Sequence, residues 1–324
     1  MTVTEKLAAL RQNMEARGLA GCIVVTDDFH GSEYVGAHFK VREFLSGFTG
    51  SAGTLAVLRE GAYLWTDGRY FLQAERQLEG SGIQLMRAGQ PGVPTLSQFL
   101  AEQLPEGGAL GFDGRTVSTR LHRTLEKALA DKHIRLDGGF DPAAGVWTDR
   151  PDLSTAPVWA FDSGVTRREK LTALRQDMAA QKAEWLLLTD LTDVAWALEL
   201  RGGDVACTPV FLGFLLVGTD SAALYAQAES FAPEIRAALA ADGAALRPYG
   251  DIYDALRAAD VPAVEVHISD ITAREPFRAV SVTAAACVKT ICGHGLAGYL
   301  EAMDYLMATA SDRSDSAAPH AGCG

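Results

Sequence analysis

The chain has 324 residues, 48% of them hydrophobic, which is enough for two ordinary domains with a packed core each. Its formal charge of -12 leaves no clustered Lys and Arg to grip a phosphate backbone or anionic lipid, so nucleic acid and membrane surfaces are excluded as expected partners. No stretch approaches the roughly 20 apolar residues of a bilayer span, and the N-terminus lacks the basic-then-apolar run of a secretory signal; the expectation is a cytoplasmic protein.

The first element is a helix: Leu7, Leu10 and Met14 recur at spacings of three and four, one apolar face. Gly21 to Thr26 follows as a short apolar run without polar alternation, which predicts a strand buried on both faces. Next come strands over Thr54 to Leu58 and Tyr63 to Thr66, joined by a hairpin at Arg59-Glu60-Gly61. A helix near Tyr70 to Leu78 and a strand over Ile83 to Met86 lead to a helix from Thr95, a strand over Ala109 to Phe112 and a helix from Ser118. Alternation of this kind predicts an α/β fold, and the hairpin makes the sheet mixed.

From Trp147 to Pro157 periodicity fades and prolines appear, so the first domain is assigned to 1–150. The chain then repeats itself. Glu5 to Met14 recurs 164 residues later as Glu169 to Met178, identical at eight of ten positions, and is again followed by an apolar strand, Trp185 to Thr189. Further strands over Val210 to Val217, Ala222 to Tyr225, Ala244 to Pro248 and Ala263 to Val266, with helices from Glu229 and Asp251, place a second, related domain at 151–275. Residues 276–324 hold a helical stretch at Leu296 to Met307 and a disordered tail from Ser311.

Few motifs carry chemistry. Gly47-Phe-Thr-Gly-Ser-Ala-Gly53 has the glycines of a phosphate loop but no Gly-Lys-Ser/Thr, and a strand follows instead of a helix, so a tight strand-loop-strand connection with positive φ is favoured. Asp27-Asp28-Phe-His30 and His267-Ile-Ser-Asp270 are the nearest approaches to metal ligands, and neither would hold a pair of metals. Cys22, Cys207, Cys287, Cys292 and Cys323 form no Cys-x-x-Cys pair, and with His294 and His320 they match no zinc spacing. Arg201-Gly-Gly-Asp204 reads as local turn structure. In Trp65-Thr-Asp-Gly-Arg-Tyr70, Arg69 stands where a strand gives way to a helix, placed to meet a peptide carboxylate or carbonyl. The alternative for it is a surface ion pair with Asp67 or Glu75.

Taken together, His30 to Tyr34, Arg42 to Gly53, Trp65 to Ala74, Trp147 to Pro151 and Leu200 to Asp204 with Pro209 to Phe211 resemble the Xaa-Pro aminopeptidases of the creatinase and prolidase group, over about residues 1 to 270. The resemblance implies two tandem creatinase N-terminal, ribonuclease-H-like α/β domains ahead of a pita-bread catalytic domain that binds two divalent metals, usually manganese. It implies removal of the residue preceding proline, a peptide with proline at its second position as partner, and Arg69 as substrate-binding residue. Val288 to Ile291 and Leu296 to Met303 resemble the first helix of that catalytic domain. The two Asp, one His and two Glu metal ligands have no counterparts, so no catalytic or metal residue is assigned and the chain is expected to be truncated and inactive alone. Two other readings stand beside this one: a peptide-binding or regulatory module that docks a separate catalytic chain, with a homodimer left open, and a metal-binding protein built on the Cys and His tail.

Overall fold

The computed structural model describes residues 1–259, 263–267 and 287–292, with side chains through residue 256. The readings placed on residues 268–286 and 293–324, among them Asp270, His294, His320, Cys323, the helix at 296–307 and the tail, lie outside these. The chain divides between Ser154 and Thr155 into two compact units.

The first unit opens with α1 (Val3–Ala16). Thr2 caps it and Glu5 reaches back to the Thr2 N–H, so two otherwise unpaired backbone donors are satisfied together. In order there follow β1 (Gly21–Val25), α2 (Val41–Ser46), β2 (Thr54–Leu58), β3 (Ala62–Thr66), α3 (Phe71–Gln77), β4 (Ile83–Arg87), α4 (Leu96–Gln103), β5 (Ala109–Gly111), α5 (Thr119–Leu129) and β6 (Arg135–Asp137). The six strands form one mixed sheet, ordered β4-β3-β2-β1-β5-β6. β2 runs antiparallel to β1 and β3 while β1 and β5 are parallel, so β1, β3 and β5 all point the same way.

Both faces of this sheet are covered, which is why its strands lack polar alternation. Cys22, Val24, Leu55 and Leu64 pack beneath Leu7, Leu10 and Met14 of α1, whereas Ile23, Ala56 and Trp65 face Leu100 of α4 and Leu125 of α5. Each such side chain withdrawn from water contributes about 1.5–3 kcal/mol before chain entropy is set against it. Trp147 and Arg150, at the end of the unit, are packed in place. The Trp147 ring stacks on Phe44 with centroids 4.4 Å apart, and Arg150 donates to the His38 carbonyl at 2.8 Å and pairs with Asp141 at 3.0 Å.

The second unit contains β7 (Trp159–Ala160), α6 (Arg167–Ala180), β8 (Trp185–Leu188), α7 (Leu191–Leu198), β9 (Leu200–Arg201), β10 (Gly213–Gly218), β11 (Ala222–Ala226), α8 (Pro233–Ala241), β12 (Ala244–Pro248), α9 (Ile252–Ala259), β13 (Ala263–His267) and β14 (Cys287–Cys292). Its main sheet, β12-β11-β10-β8, repeats the order of β4-β3-β2-β1.

The sequence repeat is a repeat of structure down to side chains. α6 has the bounds of α1 shifted by 164 residues and the same capping box, Thr166 with Glu169. Arg11 and Arg175 each donate to the carbonyl of the residue at the turn of the neighbouring hairpin, Leu58 and Gly218. Lys6 and Lys170 each hold a carbonyl, Phe44 and Trp196, and sit over that residue's ring.

Two expectations are corrected. The 47–53 loop joins a helix to a strand, α2 to β2, and only Gly47 of its glycines has positive φ, 73°, as the left-handed end of α2. Val288 to Ile291 lies in strand β14, paired in parallel with β13, and not in a helix. The β-branched and apolar character of Cys287-Val-Lys-Thr-Ile-Cys292 suits a strand better than the helix assigned to it.

Candidate functional site

Asp67 to Tyr70 forms the turn that carries the chain out of β3 into α3. Asp67 organises it: Oδ1 accepts from the Arg69 N–H at 3.0 Å and from Arg69 Nε at 2.9 Å, while Oδ2 accepts from Nη2 at 2.9 Å. The guanidinium is thus held in a planar two-bond fork at the sheet edge, its side chain 38% exposed and its face near the Tyr70 ring. Hydrogen bonding from Arg69 holds the Asp67 carboxyl below its ordinary range against the opposing pull of partial burial, so the pair stays ionised. Of the two ion-pair partners open to Arg69, the structure takes Asp67. Glu75 pairs instead with Arg87.

Directly behind this turn lies the glycine loop that the sequence tempts one to read as a phosphate cradle. Its backbone is braced from within by Arg42, which is 3% exposed. Arg42 donates to the Phe48 and Gly50 carbonyls and, at 2.9 Å, to Thr26 Oγ1. Burial pulls the Arg42 guanidinium down to about 10, still well above neutral pH, so the brace remains charged.

Outside, the loop is stitched to the Arg69 turn and α3. Ser51 and Tyr70 hydroxyls meet at 2.7 Å, the Thr49 N–H donates to Gln77 at 2.9 Å, and Gln73 donates to Thr49 Oγ1 at 2.9 Å. Phe48 is fully buried edge-on to Tyr70. Gly50 is required here because a Cβ would come within 2.3 Å of the Phe48 ring and 2.8 Å of Tyr70. The two motifs at 47–53 and 65–74 are therefore one built surface.

The same fork occurs a second time, at Asp113-Gly114-Arg115 beyond β5. The Arg115 N–H and Nε donate to Asp113 Oδ1 at 3.0 and 2.9 Å, and Nη2 donates to Oδ2 at 2.7 Å. The Arg115 guanidinium also lies 4.5 Å from the centre of the Phe29 ring. Sequence reasoning passed over this residue, although the repeated Asp-Gly-Arg tripeptide after a predicted strand was a usable signal. The turn leaving β11 in the second unit, Ala226-Gln-Ala-Glu-Ser230, does without it, so the fold itself does not demand the fork.

Asp27, Asp28 and His30, in the loop after β1, are buried. Asp28 Oδ1 accepts from the His30 and Ser32 N–H groups at 2.8 and 3.0 Å, and its buried Oδ2 has no hydrogen-bond partner. Arg201 donates to the Ala195 and Leu200 carbonyls and lies 4.1 Å from the Phe161 ring centre, and Asp204 accepts the Leu212 N–H at 2.7 Å. Residues 201–204 are local structure, with Gly202 allowing the chain to pass Phe211 where a Cβ would meet it at 2.6 Å. Among the described residues no three His, Cys, Asp or Glu side chains converge as a metal ion would require, and no helix is long and apolar enough to cross a membrane.

A capped helix followed by a strand of a mixed sheet occurs twice in tandem, the architecture by which the class is recognised. Two models of the creatinase/prolidase N-terminal domain match, over residues 6–140 and 149–290, and the chain belongs to the creatinase/prolidase family. The second match runs past residue 275, where the sequence reading closes that domain. Within the family the chain is similar to Xaa-Pro aminopeptidases, to whose N-terminal and middle domains it corresponds. It is 36% identical to aminopeptidase P2 of Arabidopsis thaliana over 78% of this chain and 36% of that one, and 30% identical to Xaa-Pro aminopeptidase 1 of Dictyostelium discoideum over 87% and 47%. The X-prolyl aminopeptidase of Caenorhabditis elegans, described as a cytosolic enzyme with a di-nuclear active site, superposes with a TM-score of 0.77 at 27% identity, covering 90% of this chain and 50% of that one. The chain spans less than half the length of these two curated relatives.

Proposed function

We propose that these residues are the substrate-end domains of a cytoplasmic enzyme that removes the N-terminal residue preceding proline, and that Arg69 contacts the bound peptide. The observation that carries this reading is the Arg69 fork itself. It is a guanidinium held at the end of a strand by Asp67, backed by a loop tied to that turn through the Ser51 and Tyr70 hydroxyls, on a fold that closes the equivalent turn in its second copy without it. The names of the relatives supply the peptide chemistry.

Two divalent metals, manganese being the expected ion, belong to the whole enzyme in this reading. The described residues offer them no ligand set, so no step is derived through them. In this reading the 324-residue chain alone is expected to be inactive. The test is hydrolysis of Ala-Pro-Ala by the purified chain with manganese added. Absence of turnover is expected, whereas turnover that copurifies with the chain and falls in Arg69→Ala would overturn the assignment of inactivity.

One observation favours a protein partner as well. Trp159, Phe161, Trp185 and Trp196 of the second unit are each between 44% and 51% exposed, an unusual outlay of aromatic surface. A catalytic domain or a second copy covering them is the expected reason. A monodisperse monomer at high concentration that captures no catalytic partner would contradict this.

A further inference from the structure

The two Asp-Gly-Arg forks stand on one edge of one sheet. β3 and β5 run in the same direction, so both turns leave at their C-terminal ends, with β2 and β1 between them. Three strand spacings separate them, about 14 Å across the sheet. The registers Val25↔Thr54↔Trp65 and Cys22↔Gly111 set the Asp113 turn about three residues lower along the strands than the Asp67 turn. The forks are then about 17 Å apart, the span of roughly five residues of extended chain.

The strip between them is not bare scaffold. β1 sends its chain toward β2 on one side and lies beside β5 on the other, and the crevice outside the ends of such strands is where open α/β sheets take ligands. A pocket opens on the β1–β5 side of it, next to the second fork, lined by Val25 at the end of β1, Asp27 after it, Asp113 and Thr116 after β5, and Asp141 and Arg150. Buried in the same post-β1 loop is Asp28, with its unpartnered oxygen.

We infer that Arg115 is a second peptide-binding residue, and that the ligand is an extended peptide of about five residues lying across this edge from Arg69 to Arg115. The inference rests on the reading of Arg69 as a peptide contact. The pairing also decides which group is recognised. Each guanidinium already carries a carboxylate on two of its N–H groups, so a ligand carboxylate brought to either fork would be set against Asp67 or Asp113. Main-chain carbonyls, which accept without bringing charge, fit both ends.

The experiment is calorimetric titration of the 324-residue chain with Ala-Pro-Ala, with Ala-Pro-Ala-Ala-Ala, and with the C-terminal amide of the latter. The pentapeptide is expected to bind about tenfold tighter than the tripeptide, the gain of one charge-assisted hydrogen bond, and its amide equally well. In Arg115→Ala, and in Arg115→Lys, which keeps the charge and loses the fork, the ratio of the two affinities falls to about one. A ratio within one protein is not mimicked by partial unfolding. A wild-type ratio near one, a ratio unchanged by either substitution, or a pentapeptide amide that loses the gain overturns the inference and leaves Arg69 standing. If the wild type binds none of the peptides, or Arg69→Ala binds them all as well as wild type, the proposed function falls and this inference with it.

Discussion

Replacing Lys170 by Met should destabilise the second unit by about 3 kcal/mol, far more than the same replacement at its repeat counterpart Lys6. The two lysines occupy equivalent helix positions and make the same contact to a carbonyl under a ring, but only Lys170 is buried against a carboxylate. Its side chain is 4% exposed and that of Glu199 8%, and Nζ bonds Glu199 Oε1 and, at 3.0 Å, the Trp196 carbonyl. Met keeps the apolar stem and removes the charge, so what is measured is an uncompensated Glu199. The Ser163 N–H and hydroxyl still donate to it at 2.7 and 3.0 Å, which holds the cost to the low end of the range for a broken buried pair. At Lys6, half-buried with one hydrogen bond to Phe44 O, about 1 kcal/mol is expected.

The pH dependence carries the same signature. Burial alone would raise Glu199, but Lys170 and Ser163 outweigh it and hold the folded value below the ordinary 4.5. A depressed carboxyl contributes stability that is full above the unfolded value and is lost as pH falls through the folded one. Urea unfolding followed by tryptophan fluorescence between pH 3 and about 7 reads both effects. The wild type should weaken below about pH 4.5, whereas Lys170→Met should already be weak at neutral pH, and Lys170→Met with Glu199→Leu should recover most of the loss. Equal costs at Lys170 and Lys6 would refute the reasoning.

Three further outcomes are expected. Arg42→Leu strands the buried Phe48 and Gly50 carbonyls and should cost at least about 3 kcal/mol in urea unfolding, with Arg42→Lys restoring only part because an ammonium cannot span both acceptors. Iodoacetamide at pH 8 should label exposed Cys207 and spare Cys22, whose thiol burial pushes up to about 12; equal labelling of the two in native protein would contradict that placement. Gly50→Ala forces Phe48 and Tyr70 apart without touching Asp67 or Arg69, so it should weaken peptide binding several-fold while the chain still folds, and unaltered binding would separate the loop from the site.

Much of this was legible in the sequence because the signals were local. The repeated Glu-Lys-Leu helix and the following apolar strand announced two copies of one unit, and the hairpin at 59–61 announced a mixed sheet. α2 escaped because six residues, Val41 to Ser46, hold too few turns to show a period, and its one polar residue of consequence, Arg42, is buried to brace a loop that lies later in the chain. The glycines of that loop were misread for a related reason. Gly50 is fixed by rings from two different elements, a tertiary demand that no spacing encodes. Arg69 was found by its position after a strand. Arg115 was passed over although the same tripeptide follows a predicted strand; what the sequence does not encode is that β3 and β5 share an edge and a direction, which sets the two arginines on one side.

The most direct measurement of the central claim is the affinity of the 324-residue chain for Ala-Pro-Ala, in wild type and in Arg69→Ala, with thermal melts to show that both are folded. Removing an exposed fork from a folded turn should leave the melt within a few degrees while the peptide affinity falls about tenfold. Equal affinities in two equally folded proteins would contradict the account, leaving Arg69 as the turn's own ion pair with Asp67 and nothing more.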